Sequence, residues 1–63
     1  MIDKISIAAA RVNAKIKQSE AAKAVGVLPQ TLRNWEQGKT HPKVNQVQKL
    51  CEIYGVTTDD IFF

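Results

Sequence analysis

Apolar residues recur at three- and four-residue spacing along most of this 63-residue chain, and no segment reads as a strand. The first predicted helix runs from about Asp3 to Ala14. Its apolar positions Ile5, Ala8, Ala9, Val12 and Ile16 fall at helical spacing, and Asp3 is placed to cap it. The second predicted helix, Gln18 to Val25, is rich in alanine and stops at Gly26. The third begins near Pro29, where a first-turn residue needs no backbone N–H. It runs to Gln37 and stops at Gly38. The space between Val25 and Pro29 holds only a tight turn. Lys39-Thr40-His41-Pro42-Lys43 is then a polar loop. A fourth helix follows from Val44 to Tyr54, with Val44, Val47, Leu50, Cys51 and Tyr54 on one face and Gly55 at its end. Thr57 is placed to cap a last short helical turn, Thr58 to Phe62, with Asp59 and Asp60 near its start. The expectation is an all-α chain of five helical segments forming one domain over residues 1–63.

A chain this short buries only about 60% of its unfolded surface, so its stability margin is thin. Its apolar fraction of 44% still supports a folded core. Charge is unevenly spread. Residues 1–49 carry nine Lys and Arg against Asp3, Glu20 and Glu36, a net of +6. Residues 50–63 carry Glu52, Asp59 and Asp60 and no base, a net of −3. A basic end and an acidic end suit a protein that turns one face to a polyanion.

Other chemistries find little support. One cysteine, Cys51, and one histidine, His41, make neither an internal disulfide nor the four ligands of a structural zinc site. No Ser/His/Asp, Cys/His or paired-carboxylate arrangement, Gly-rich phosphate loop or HExxH run marks an enzyme or a cofactor site. No segment approaches the roughly 20 apolar residues of a membrane span, and no signal peptide is evident. The expected setting is a reducing cytoplasm, with the protein on bacterial or phage DNA.

Two short helices around a glycine-containing turn, the second opening with polar side chains, form the pattern of a helix-turn-helix. The specific residues sharpen it. Arg11, Gln18-Ser19-Glu20-Ala21-Ala22, Val25-Gly26-Val27, Thr31-Leu32, Trp35-Glu36-Gln37-Gly38-Lys39 and Pro42 together resemble the Cro and phage-repressor (XRE-type) helix-turn-helix family. Leu50, Tyr54-Gly55-Val56 and Asp59-Asp60-Ile61-Phe62 match that family's closing helices, so the resemblance covers nearly the whole chain. It implies a five-helix, lambda-repressor-like domain that binds double-stranded DNA as a transcriptional regulator, with the third helix in the major groove.

The resemblance also assigns roles. Base reading falls to Pro29, Gln30 and Asn34, with Leu28, Thr31 and Arg33 beside them. Gln and Asn suit adenine, Arg suits guanine, and Leu28 could meet a thymine methyl or be an exposed apolar residue of no consequence. Pro29 has no polar group and departs from the glutamine or serine usual there. Arg33 serves equally as a phosphate contact. Phosphates are expected at Lys17, Gln18, Thr31, Lys39, Thr40 and Lys43. Lys17 stands where the family has a Ser or Thr cap. Arg11 and Glu36 match a buried ion pair between the first and third helices, the alternative for Arg11 being a DNA-facing base. Ala22 is small where the second and third helices cross. Trp35 is expected in the core, filling space left by Ala21 where a leucine is more usual. Cys51 reads as buried packing and His41 as loop surface.

Two functional classes remain. One is a homodimeric regulator on a two-fold symmetric operator, dimerising through Ile61, Phe62 and Phe63. The other is a protein-interaction module, such as the DNA-binding half of a toxin–antitoxin pair. No small-molecule sensing domain is evident.

Overall fold

The computed structural model describes residues 4–62. Four α-helices pack around one core and are closed by a short parallel strand pair. The elements are β1 (Ile5–Ser6), α1 (Ile7–Asn13), α2 (Gln18–Val25), α3 (Pro29–Glu36), α4 (Val44–Tyr54), a single 3-10 turn (Thr58–Asp60) and β2 (Ile61–Phe62). Helices α2, α3 and α4 start where the sequence places them. Their ends are punctuated by Gly26, Gly38 and Gly55, each in the left-handed region. Gly26 does the most for function. Its φ of 91° turns the chain so that Gly26 and Val27 both donate to the Ala22 carbonyl, and α3 then starts only three residues after α2 stops.

The two ends of the chain differ from the helical expectation. The first helix starts at Ile7, capped by Ser6, whose hydroxyl accepts from the Ala9 N–H at 3.1 Å. The expected cap, Asp3, lies outside the described residues. Ile5 and Ser6 are extended and pair in parallel with Ile61 and Phe62. The last segment is correspondingly not a fifth helix. It makes one 3-10 turn and then straightens into β2. Two β-favouring apolar residues, Ile5 and Ile61, meet there, and extended backbone lets Ile61 reach the core while its peptide groups are bonded.

Starting α1 later also changes its buried face. Ile7 and Ala10 are buried, whereas Val12 points to solvent. The rest of the core is Ala21, Ala22, Leu32, Trp35, Leu50, Cys51, Tyr54 and Ile61. Ala21 and Ala22 are fully covered, which lets α2 and α3 approach closely, and the large Trp35 ring is buried with them. In α4, Leu50, Cys51 and Tyr54 face inward, but Val44 in the first turn is exposed. Among the described residues no helix is long and apolar enough to cross a membrane, and no cluster of His, Cys, Asp or Glu could hold a metal.

The Ser6 cap is the one side-chain cap on an α-helix start among the described residues. Ser6→Ala should lower unfolding free energy by about 1 kcal/mol. A denaturant midpoint equal to that of the parent protein would show that Ser6 does not cap α1.

Candidate nucleic-acid interface

Helix α3 carries a row of polar side chains that are exposed or half-buried. Pro29 takes the first helical position. Leu28, before it, is 72% exposed. Gln30 and Arg33 are exposed, and Thr31 and Asn34 are half-buried. Residues three and four apart share a helix face, and here they bond to one another. Gln30 Nε2 donates to Asn34 Oδ1 at 3.0 Å, and Arg33 Nη1 approaches Gln30 Oε1 at 3.5 Å. The Gln30 amide is thereby held with both its donor and its acceptor ends engaged along the helix. Its second N–H and second lone pair remain unspent, and these are the groups with which a carboxamide pairs to adenine N6 and N7.

Cations flank this row on both sides in sequence. Lys17 is exposed at the start of α2 and Lys39 and Lys43 in the loop after α3, with Thr40 and His41 between them also exposed. Lys17, Leu28 and Lys43 are the residues that precede α2, α3 and α4, and none of them caps its helix with a side chain. An ammonium or a butyl group cannot accept a hydrogen bond, so only the return half of a capping box forms. The Glu20 carboxylate accepts from the Lys17 N–H at 3.1 Å, and the Gln46 amide oxygen accepts from the Lys43 N–H at 2.7 Å.

Behind the surface lies an ion pair. Arg11 Nε donates to Glu36 Oε2 at 2.8 Å and Nη2 to Glu36 Oε1 at 3.3 Å. The two side chains retain 17% and 8% of their exposure, so the pair is mostly desolvated. Arg11 Nη1 donates to the Ile16 carbonyl at 3.0 Å, and the Ile16 N–H donates back to the Arg11 carbonyl at 3.2 Å. All of Arg11's bonds are therefore internal. The Glu36 hydrogen bond pushes the guanidinium above its ordinary pKa, against the opposing effect of burial. Gln18 belongs to the same cluster, its Nε2 donating to Glu36 Oε1 at 3.1 Å. Sequence reasoning placed Gln18 on phosphate and Glu36 on Arg11 separately. Their contact spans 18 residues, and no local pattern announces it.

The expected dimer residues separate. Ile61 is a core residue here, only 4% exposed, because β2, packed against β1 and α1, turns its side chain inward. Its side chain is therefore not available to a second copy of the folded chain. Phe62 alternates to the other face and is 52% exposed. It lies beside a hollow of about 200 Å³ that Ile7 and Trp35 also line. Phe63 lies outside the described residues. Cys51 is buried, and loss of water around it, together with nearby Asp60, raises its thiol pKa.

Residues 7–61 match the family model described as helix-turn-helix. The chain belongs to the helix-turn-helix family. Within it, the XRE-type pattern that the sequence resembles runs through the same residues. A curated relative, described as the cryptic phage CTXphi transcriptional repressor RstR of Vibrio cholerae, is 39% identical over 46 residues, 73% of this chain. The chain spans 41% of that relative's length. No solved structure matches it significantly.

Two groups of this helix-turn-helix give direct tests. Removing one member of a mostly buried ion pair strands the other, so Glu36→Ala should cost about 3 kcal/mol or more. In a domain of this size that lowers the melting temperature by more than roughly 10 °C. A shift of a degree or two would mean the pair is solvated in solution.

Tyr54 behaves differently. Its hydroxyl is buried without a hydrogen-bond partner among the described residues. Burial, reinforced by the Glu36 carboxylate and opposed by Arg11, pushes the phenol up to about 12. An unfolded tyrosine ionises near pH 10, so above that pH the unfolded chain loses a proton that the folded one keeps. The stability linked to the neutral phenol is complete below about pH 10 and is lost as pH rises toward about 12. Tyr54→Phe should flatten that alkaline fall. At pH 7 it should leave stability unchanged or raise it by up to about 1 kcal/mol, since an unpaired buried hydroxyl disappears. A loss at pH 7 would show instead that the hydroxyl is bonded in solution.

Proposed function

We propose that this helix-turn-helix protein is a transcriptional repressor that reads operator half-sites in double-stranded DNA with α3 in the major groove. The observation that carries the reading is the outward row of Gln30, Arg33 and Asn34, already tied to one another on the second helix of the motif. Rigid, mutually bonded side chains lose little conformational freedom when they meet base edges. Leu28 supplies an apolar contact for a thymine methyl at the start of the helix, and Pro29 supplies shape without a hydrogen bond. Lys17, Gln18, Thr31, Lys39, Thr40 and Lys43 anchor the backbone on either side. The similarity to a protein described as a phage transcriptional repressor supports repression.

In this reading two copies bind a two-fold symmetric operator, with half-sites centred roughly 10 base pairs apart. Phe62 is the contact available to a second copy, because an exposed aromatic beside an apolar hollow favours association. The protein acts in the cytoplasm of a bacterium, on chromosomal or phage DNA.

The test contrasts a base reader with a phosphate anchor. Sites selected from a random duplex pool should show a symmetric consensus containing A·T pairs in each half. On that site Gln30→Ala should cost about 1–3 kcal/mol and relax preference at one base pair per half-site, with non-specific binding barely changed. Lys39→Ala should weaken all sequences alike and lower the salt slope by roughly one unit. A pool that returns no consensus would defeat the reading. So would a Gln30→Ala variant that keeps every base preference while losing general affinity.

A further inference from the structure

Gln18 is the first residue of α2, and its carboxamide has one feature that the DNA-binding reading leaves unexplained. It is half-buried, and its Nε2 donates inward to the last residue of α3. A carboxylate can only accept hydrogen bonds, so Glu36 decides which end of the amide turns toward it. The NH₂ group faces Glu36. One of its two N–H bonds is spent there, and the other has no acceptor among the described residues. Glu36 is in turn fixed by Arg11, which takes Oε2 through Nε and shares Oε1 through Nη2. Arg11 is fixed by the Ile16 carbonyl in the turn before α2. The amide therefore sits at the end of a chain of bonds that begins on α1 and passes through α3.

We propose that Glu36 is a positioning residue for DNA-backbone binding: it fixes the rotation of the Gln18 carboxamide, so that the second N–H is held in one place for a phosphate. This rests on the DNA-binding reading above and names a residue through which it works. An unbraced glutamine could turn its oxygen outward as readily, and an oxygen has no proton to give a phosphate. The charge of Glu36 alone would repel the phosphate. Arg11 balances it, which lets a carboxylate stand behind an anion-binding amide. Two opposite expectations follow for Glu36→Gln, which keeps the shape and the hydrogen-bonding reach of the side chain. If Glu36 matters to DNA only through its charge, removing the anion tightens binding. If it orients Gln18, binding weakens, because a carboxamide at 36 can offer Gln18 either an acceptor or a donor.

The experiment uses the full chain, with Gln18→Ala, Glu36→Gln and the double variant each shown by thermal melts to be folded at the assay temperature. Affinity is measured on a duplex selected from the random pool, and on copies in which single phosphates are replaced by neutral methylphosphonates. Among the phosphates whose replacement weakens the parent protein, the one that meets Gln18 should cost it about tenfold. Gln18→Ala should be indifferent to that replacement, Glu36→Gln nearly so, and the double variant should bind no more weakly than Gln18→Ala. The proposal is overturned if Glu36→Gln keeps the full penalty, binds more tightly than the parent, or multiplies its loss with that of Gln18→Ala. Should Glu36→Gln not fold, nitrogen-15 NMR of the parent protein decides. One Gln18 side-chain N–H should exchange slowly without DNA, and the other should shift when the duplex is added. Two freely exchanging protons in the folded protein overturn the brace. A parent protein that binds no duplex overturns the DNA-binding reading itself. That failure is distinct, because the slow N–H is read without DNA.

Discussion

The Arg11–Glu36 pair is the contact on which the rest of the domain depends. It joins α1 to the end of α3, and through Ile16 and Gln18 it also holds the turn and the first residue of α2. The three helices that make up the motif and its support thus meet at one carboxylate. A 63-residue chain has few ways to hold three helices at fixed angles, because its buried side chains are few and two of the most central are alanines. Ala21 and Ala22 allow close approach but say little about orientation. A bidentate guanidinium–carboxylate pair has a preferred plane and direction, and it adds the geometric specificity that small side chains lack. Such a pair is weak evidence for net stability, since desolvating both charges offsets much of the attraction. Its value here is in placing α3 relative to α1 and, through Gln18, to the start of α2.

That placement explains how much of the molecule could be read from its sequence. Helices α2, α3 and α4 were legible because Gly26, Pro29, Gly38 and Gly55 punctuate them, and such residues act through local backbone geometry. The ends of the chain were not legible. A strand pair two residues long has no periodicity to detect, and Ile5 finds Ile61 across 56 positions of sequence. The spacing of Ile5, Ala8 and Val12 fits a helix face equally well, and only the parallel pairing moves Ile5 off that face and leaves Val12 in solvent. Val44 shows the same limit in α4, where the stripe continues one turn beyond the core that could cover it.

The site divides along the same line. The residues proposed for it come from the motif, in which Gln18, Gln30, Asn34 and Lys39 stand at set distances along two helices and a turn. How they are coupled does not. The bond from Gln30 to Asn34 lies within one helix and follows from a spacing of four. The bond from Gln18 to Glu36 depends on the crossing of α2 and α3, which is a property of packing. The two amides therefore differ in kind. Gln30 is oriented by neighbours on its own helix, whereas Gln18 is oriented by the tertiary fold. A change that loosens the core would reach the Gln18 amide before it reached the Gln30–Asn34 row.

The helix starts carry the last part of the argument. Ser6 begins α1 with a side-chain cap, while Lys17, Leu28 and Lys43 begin α2, α3 and α4 without one. Each missing cap costs on the order of 1 kcal/mol in a protein with little to spare. Two of the three are also cations set against the positive end of a helix dipole, which is unfavourable by about a few tenths of a kcal/mol. Core packing offers no compensation, because both lysines are exposed. A nearby phosphate reverses the sign of both terms. It accepts from the open first-turn N–H groups and is attracted by dipole and ammonium together. The same features that weaken the free domain thus strengthen its hold on a polyanion. On this account the domain gains stability when it binds DNA, and the gain is larger at low salt, where phosphate contacts are strongest.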